Sequence, residues 1–363
     1  MKNTFGNSLS ITIFGESHGE VIGAVLDGIA PGVKVDHDYI QNMLSQRRPY
    51  GKISTGRCEK DEYKLSSGVF NGYTTGTPIC ILVPNNDTKS GDYESLRVVP
   101  RPSHADLVAN AKYEGFQDYR GGGHFSGRVT VALVIAGAIV KSALEAKGIK
   151  IGTHISSLKG INDREFNDYS VDIDELQGKL FAALDEERAK EMYALIENAA
   201  AEGDSVGGVL ETAITGMPIG VGEPWFDTLE GVLAHAIFSV PAVKGVEFGR
   251  GFAITELFGS EANDNMRYEG DKLTFTTNNS GGINGGISNG APIIVRSAIK
   301  PTPSIFKEQQ SVNLDTKENV SLKIQGRHDP AIIHRARVVI DSVCALVVAD
   351  MLMTKFGTDY LKA

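Results

Sequence analysis

Cysteine is scarce in this chain, with three residues, Cys58, Cys80 and Cys344, among 363. They are widely spaced and odd in number, which excludes a disulfide framework and matches no zinc-ligand spacing, so no metal site is expected and the thiols read as reduced and structural. Basic charge is also short, 36 Lys and Arg against 45 Asp and Glu, for a net charge of −9. Nucleic acid and anionic membrane surfaces would repel such a chain, so neither is an expected partner, and any anion site must be a local basic cluster. Long apolar runs are missing too: the most apolar one, Val129 to Val140, covers about twelve residues where a membrane span needs about twenty, and it reads as a buried helix. The polar, alternating N-terminal residues contain no signal-peptide core, which leaves a cytoplasmic location as the expectation.

Glycine is what the chain has in excess. Its 41 residues exceed the average share of about 7%, and they gather in short loops between apolar stretches. Hydrophobic residues at 41% and charged residues at 22% are ordinary globular values, sufficient for a large core in one domain or two.

Compared with itself at an offset of 188 residues, the chain shows a faint duplication. Gly15, Ser17, Gly19, Val21, Gly28, Gly32 and Val33 match Gly203, Ser205, Gly207, Val209, Gly216, Gly220 and Val221. Ser8 to Ile13 alternates as a half-buried strand. A helix follows from about Asp36, with Ile40, Met43 and Leu44 on one face and Pro49 as its stop; its counterpart includes Phe226, Leu229, Val232 and Leu233. Asp174 to Ala201 reads as a charged, peripheral helical stretch ended by Gly203, and Arg335 to Phe356 as a further helix in which Asp341 and Asp350 are caps or surface groups. The expected fold is a single large mixed α/β sandwich with an internal pseudo-symmetric strand-helix duplication. Its halves are roughly 1–150 and 203–363, with a helical excursion over 155–202.

Three loops each carry a histidine in a turn. Gly15-Glu16-Ser17-His18-Gly19 ends the first strand, and Arg101-Pro102-Ser103-His104-Ala105-Asp106 and Gly326-Arg327-His328-Asp329-Pro330 place a His beside Arg and Asp. An imidazole exchanges protons near neutrality, and glycine lets the backbone approach a ligand closely. His18 faces Val206 in the duplication, an asymmetry that a purely structural turn does not need.

Four segments read as anion loops. Arg47 and Arg48, followed by Lys52 and Arg57, either grip a phosphate or carboxylate with guanidinium forks or serve as favourable charges at a helix C-terminus. Arg120-Gly121-Gly122-Gly123-His124-Phe125-Ser126-Gly127-Arg128 feeds a glycine run into a helix start without the spacing of a Walker or dinucleotide fingerprint. Asn278 to Gly290 forms either a tight hairpin or a platform for a flat heterocycle, and Lys300-Pro301-Thr302-Pro303-Ser304 combines a cation, hydroxyls and rigid prolines. Together these loops and the histidine turns point to at least one phosphorylated ligand.

In order and number these motifs resemble the chorismate synthase family over nearly the whole chain. The resemblance is carried by the Gly-Glu-Ser-His-Gly turn, Arg47-Arg48-Pro49, Arg-Pro-x-His-Ala-Asp, Asp118-Tyr119-Arg120-Gly-Gly-Gly, Gly222-Glu223-Pro224, Ala242-Val243-Lys244-Gly245, Gly-Gly-Ile-x-Gly-Gly-Ile-Ser, Lys300-Pro301-Thr302 and Gly-Arg-His-Asp-Pro. It implies the anti-1,4 elimination of phosphate from 5-enolpyruvylshikimate 3-phosphate to give chorismate, with reduced FMN required and no net redox change. It also implies that His18 assists the leaving phosphate, that His104 sits at the flavin N1 and C2 carbonyl, and that Asp329 lies near N5, the base for the hydrogen at carbon 6. Arg47, Arg48, Arg128 and Arg335 would bind the substrate anions, while His124, Phe125, Ser126, Gly285, Lys300, Pro301, Thr302, Pro303, Ser304 and Arg327 would hold FMN.

The same resemblance implies a homotetramer, and since the sequence shows no added reductase domain, an external flavin reductant with NADPH acting only indirectly. This chain departs from the common pattern at His124-Phe125-Ser126-Gly127, at Pro303 and at Pro241. Ile53 stands where an arginine is usual, which makes Lys52 or Arg57 the candidate replacement. Two other classes compete with this reading. A flavin- or NADPH-dependent oxidoreductase would need a nicotinamide site, for which the chain has no Gly-x-Gly-x-x-Gly opening a helix after a strand. In a non-catalytic binding protein the glycine loops would be structural only.

Overall fold

A computed structural model describes residues 2–54, 61–86, 97–324 and 328–362. The chain begins with β1 (Thr4–Phe5), β2 (Ser10–Gly15) and β3 (Val21–Asp27), then α1 (His37–Arg47), β4 (Lys64–Leu65), the hairpin β5 (Val69–Phe70) and β6 (Tyr73–Thr74), and β7 (Ile79–Pro84). α2 (Asp106–Lys112) and α3 (Thr130–Ala146) complete this part. Strands β1-β2-β3-β7-β4, in that order, make an antiparallel five-stranded sheet. As the sequence requires, Asp36 caps α1 by accepting from Tyr39 N at 3.0 Å, and Pro49 follows its C-terminus.

The second part runs β8 (Lys150–Leu158), β9 (Ile161–Asn162), α4 (Tyr169–Gln177), α5 (Glu186–Ala201), β10 (Gly208–Thr215), α6 (Leu229–Ser239), β11 (Val243–Phe248) and α7 (Gly259–Ala262). Two hairpins follow, β12 (Met266–Glu269) with β13 (Lys272–Phe275) and β14 (Ile283–Asn284) with β15 (Ile287–Ser288). Then come β16 (Ile293–Ile299), the hairpin β17 (Gln309–Val312) and β18 (Asn319–Leu322), and α8 (Ile333–Phe356). The second sheet has the order β11-β16-β10-β8-β9 and is also antiparallel.

Pseudo-symmetry is visible in the inner strands. β2-β3-β7 and β8-β10-β16 occupy the same three positions, and in each part the middle strand leads to a helix (α1, α6) and the third strand to a long buried helix (α3, α8). The structural repeat is wider than the sequence repeat that starts at Gly203, because α4 and α5 separate β8 from its partner β10. The turn equivalent to Ser17-His18 has become a support: Ser205 Oγ donates to Thr302 O at 2.7 Å and Val206 N to Pro330 O at 2.8 Å.

α3 and α8 form the middle layer, α3 touching β3, β7 and β8, and α8 touching β8 and β10. Burial explains their composition: 14 of 17 residues of α3 and 20 of 24 of α8 are buried, so a helix that is apolar all round is packed on all sides. The run Gly127–Ala146 is longer than the twelve residues read from hydropathy, and by length and composition it would suffice to cross a membrane, but 83% of its apolar window is buried inside the fold. The two helices cross at Gly137, where an added Cβ would lie 2.3 Å from Ser342 Cβ and 2.6 Å from its Cα.

Three sequence expectations need correction. Asp341 and Asp350 are neither caps nor surface groups, since α8 has no solvent face to place them on. Asp350 accepts Asn7 N and Leu9 N at 3.0 and 2.9 Å, and Asp341 accepts from Thr153 Oγ1 at 2.5 Å, its carboxyl pushed up by burial. The helix expected over 174–201 is two helices, because Asp163 takes the amides of Leu184 and Asp185 at 2.6 and 2.9 Å and Asp185 then caps α5. Phe226 is 98% exposed and precedes α6, which Thr228 caps through Gly231 N.

Outside the middle layer, His154 is buried between Asp163 (2.8 Å) and Glu211 (3.3 Å). Burial opposes its charged form, yet the two carboxylates outweigh that and raise its pKa above the ordinary value. Its contribution is therefore full below about pH 6.5 and is lost as pH rises through the folded-state value. In thermal melts, His154→Gln should flatten the fall of Tm with rising pH above neutrality. Gly137→Val should lower unfolding stability by about 2 kcal/mol or more, within the usual cost of overpacking, checked by denaturant titration.

Candidate active site

A cavity of ≈ 1010 Å³ lies where α3 and α8 begin, so two helix N-termini contribute their partial positive charge to it. Its walls come from both parts: the β2–β3 turn, the end of α1, the 101–105 loop and the glycine triplet from the first, and residues 238–244, 300–304 and 328–339 from the second. Six cationic side chains among the described residues line it (Arg47, Arg101, Arg128, Lys244, Lys300, Arg335), against the carboxylates of Asp61 and Asp329. A basic pocket is thus concentrated inside an acidic chain.

The glycine triplet brings two imidazoles together. Gly121, Gly122 and Gly123 all have left-handed φ (60°, 87° and 53°), which glycine adopts without strain. A Cβ on Gly121 would sit 2.2 Å from His18 Cε1, and one on Gly122 would sit 3.2 Å from His104 Cε1. The rings therefore need a bare backbone beneath them. His18 is 7% exposed, and its Nδ1 lies 3.2 Å from Ser17 Oγ, whose hydroxyl donates to Arg120 O at 3.2 Å. With that proton committed, Nδ1–H is the donor to Ser17 in the neutral ring.

His104 is fixed the same way by a carboxylate. Its Nδ1 is 2.6 Å from Asp106 Oδ1, and Arg101 binds Asp106 through Nε and Nη2, each at 2.8 Å, and through its own backbone N at 3.0 Å. Burial works against the Asp106 anion, but the hydrogen bonds from Arg101 and His104 hold its carboxyl far below the usual range. A carboxylate only accepts, so Nδ1 carries the proton and Nε2 is the ring's acceptor position.

The arginines are anchored before any ligand arrives. Arg47 donates through Nε to Thr130 Oγ1 (3.2 Å) and through Nη2 to Gly127 O (2.9 Å), while Arg128 donates to Asn85 Oδ1 (3.2 Å) and Pro84 O (3.3 Å). Both reach the Asp61 carboxylate through Nη1. Arg335 pairs with Asp329 at 2.8 Å and donates to Arg47 O at 2.8 Å, joining α8 to α1. At the other end, Lys300 Nζ donates to Ser103 O at 2.5 Å. Burial, then the Lys244 charge, lowers the Lys300 pKa. Thr302 Oγ1 and His328 Nε2 are buried without a hydrogen-bond partner among the described residues.

Of the residues named from the sequence, His18, His104 and Asp329 share the cavity with Arg47, Arg128, Arg335, His124, Phe125, Ser126, Lys300, Thr302, Pro303 and Ser304. Others do not line it. Arg48 is the residue at the C-terminal end of α1, and its side chain donates to Gln41 at 3.3 Å. Pro301 packs instead against Gly207, whose Cβ would lie 2.7 Å from Pro301 N. Gly285 is exposed in the β14–β15 turn, where it and Gly286 take the paired positive φ (61° and 86°) of a two-residue hairpin. Arg327 and Arg57 lie outside the described residues; Lys52 is exposed away from the cavity, and Ile53 is in the core. His124 donates to Gly15 O at 2.8 Å, Phe125 stands edge-on to Tyr113, and Ser126 caps Arg128 N.

Sequence reasoning gave no role to Arg101, Asp106, Asp61, Lys244 or His328. For Arg101, Asp106 and His328 the signal was present in the histidine loops themselves; for Asp61 no local pattern marked it.

The sequence profile described as Chorismate synthase matches residues 9–353. Chorismate synthases of Dehalococcoides mccartyi, Pyrococcus abyssi and Korarchaeum cryptofilum are 46%, 45% and 44% identical, the matches covering 97%, 96% and 96% of this chain and 96%, 97% and 97% of theirs. A solved structure titled as a crystal structure of chorismate synthase superposes with a TM-score of 0.76 at 29% identity, over 97% of this chain and 94% of that one.

The clasp on His104 has a direct spectroscopic consequence. Asp106→Asn can offer an amide N–H to Nδ1, so the neutral ring should change from the Nδ1–H to the Nε2–H tautomer, read from its 15N chemical shifts.

Proposed function

The chain belongs to the chorismate synthase family of enzymes, and on that premise we propose that it eliminates phosphate from 5-enolpyruvylshikimate 3-phosphate in the anti-1,4 sense to give chorismate, with reduced FMN required. The observation that carries this reading is the pair of imidazoles on one glycine triplet inside a cavity lined by six cations. A substrate with one phosphate and two carboxylates, together with a flavin phosphate, calls for such a concentration of positive charge. The cavity volume lies at the upper end of the roughly 300–1,000 Å³ of small-molecule sites, as two neighbouring ligands would require.

His18 is the acid: its Nε2 delivers a proton to the departing phosphate, with Ser17 fixing the ring. The arginines of the α1–α3 corner and Arg335 hold the substrate anions and stabilise the charge that develops on the leaving group. Residues for FMN fit at the opposite end. Lys244 and Lys300 supply charge for its phosphate, and the buried hydroxyl of Thr302 gains a partner there. His104, held by Asp106, and Asp329, held by Arg335, would be the residues beside the flavin ring, His104 to govern its protonation and Asp329 to return a proton. Bound reduced FMN would supply an electron-rich ring and a base for the hydrogen at carbon 6.

The whole of 1–363 is taken as one domain, supported by a single main core that runs from Leu9 to Leu361. Homotetrameric assembly and an external reductant, with NADPH acting indirectly, rest on the family likeness.

Anaerobic phosphate release with and without pre-reduced FMN tests the reaction; flavin that stays reduced through turnover separates it from an oxidoreductase. His18→Ala and His104→Ala should each lower chorismate formation by about 10²-fold or more. Unchanged rates in both would reject the assigned roles.

A further inference from the structure

Arg47 and Arg128 come from opposite ends of the first part of the chain, yet each presents Nη1 to a different oxygen of one carboxylate, Oδ2 and Oδ1 of Asp61. Other donors of both guanidiniums are held by other groups: Thr130, Gly127 O and Arg128 O for Arg47, Asn85 and Pro84 O for Arg128. Both arginines therefore have anchors besides Asp61. What Asp61 occupies is the corner where they converge, a geometry suited to any anion with two oxygens on one centre.

Asp61 is also unlike a fixed structural partner. It stands in the connection before β4 and in no strand or helix, it has a left-handed φ of 50°, and it lines the cavity with a side chain that is only 2% exposed. Two buried guanidiniums facing each other without an anion would be costly, so the ligand-free chain provides one of its own. The other cavity carboxylate among the described residues, Asp329, is bound to Arg335.

We propose that Asp61 is a resident anion, occupying the subsite of a substrate phosphate or carboxylate on Arg47 and Arg128, from which an incoming ligand must displace it. This rests on the reading of the cavity as the site of an anionic substrate and adds a control on entry. An anion held only at this corner competes with the internal carboxylate and displaces it only at high concentration, whereas a ligand that also engages Arg335 and His18 displaces it at low concentration. The apparent affinity for any anion is scaled down by the fraction of molecules in which the corner is open.

Inorganic phosphate is the probe, titrated calorimetrically into the full-length chain without flavin or substrate. Asp61→Asn should bind phosphate at least about tenfold more tightly than the unaltered chain, and in an Arg128→Ala background the gain should disappear. Equal or weaker binding by a folded Asp61→Asn overturns the proposal. Should that variant fail to fold, a crystal structure of the unaltered chain with phosphate decides: the proposal requires phosphate on Arg47 and Arg128 with the Asp61 carboxylate moved away. Phosphate elsewhere while Asp61 still bridges both arginines overturns it. Phosphate binding needs no turnover, so a chain that makes no chorismate leaves this result standing, and normal chorismate formation without the affinity gain removes Asp61 alone.

Discussion

Positive charges crowded into one cavity repel each other, so they stay there only if the protein fixes each of them before a ligand arrives. Here the fixing is done by backbone carbonyls and by carboxylates. Arg101 is locked to Asp106, Arg335 to Asp329, and Arg47 and Arg128 to Asp61 and to main-chain oxygens at the start of α3 and the end of β7. The lysines have no carboxylate partner among the described residues, and burial, then the neighbouring Lys244 charge, lowers the pKa of Lys300. This uneven neutralisation divides the cavity into an arginine corner with its own anions and a lysine end that still calls for one.

The scaffold makes this possible by placing the two most buried helices between the sheets and starting both at the cavity. Close approach at Gly137 and Ser342 brings α8 against α3, and the Arg335 bond to Arg47 O carries that packing into the site. Packing and charge placement are thus coupled, because a shift of α8 would move Arg335 and the Asp329 loop together.

Much of this was legible in the residues. Capping by Asp36 and the Pro49 stop gave α1, the apolar run gave α3, and the offset repeat gave the pseudo-symmetric sheets. The histidine turns converge as the motifs implied. Errors arose where tertiary contacts override local pattern. Asp341 and Asp350 look like surface groups on a helix, and only the surrounding layers show that α8 has no surface. Asp163 splits a stretch that periodicity reads as one helix, through amides about twenty residues away. Gly285 belongs to a glycine motif but serves its hairpin turn. Asp61 was invisible because its partners are Arg47 and Arg128, and nothing in the residues around it announces either.

The two copies of the opening turn have separate fates. Ser17 and His18 hold an imidazole in the cavity, whereas Ser205 and Val206 brace the backbone at Thr302 and Pro330, next to the residues that complete the opposite wall. One copy places its imidazole in the cavity, and the other becomes a buttress for the wall opposite its twin. Drift at the spare copy would then blur the alignment of distant groups while leaving every reacting atom chemically intact.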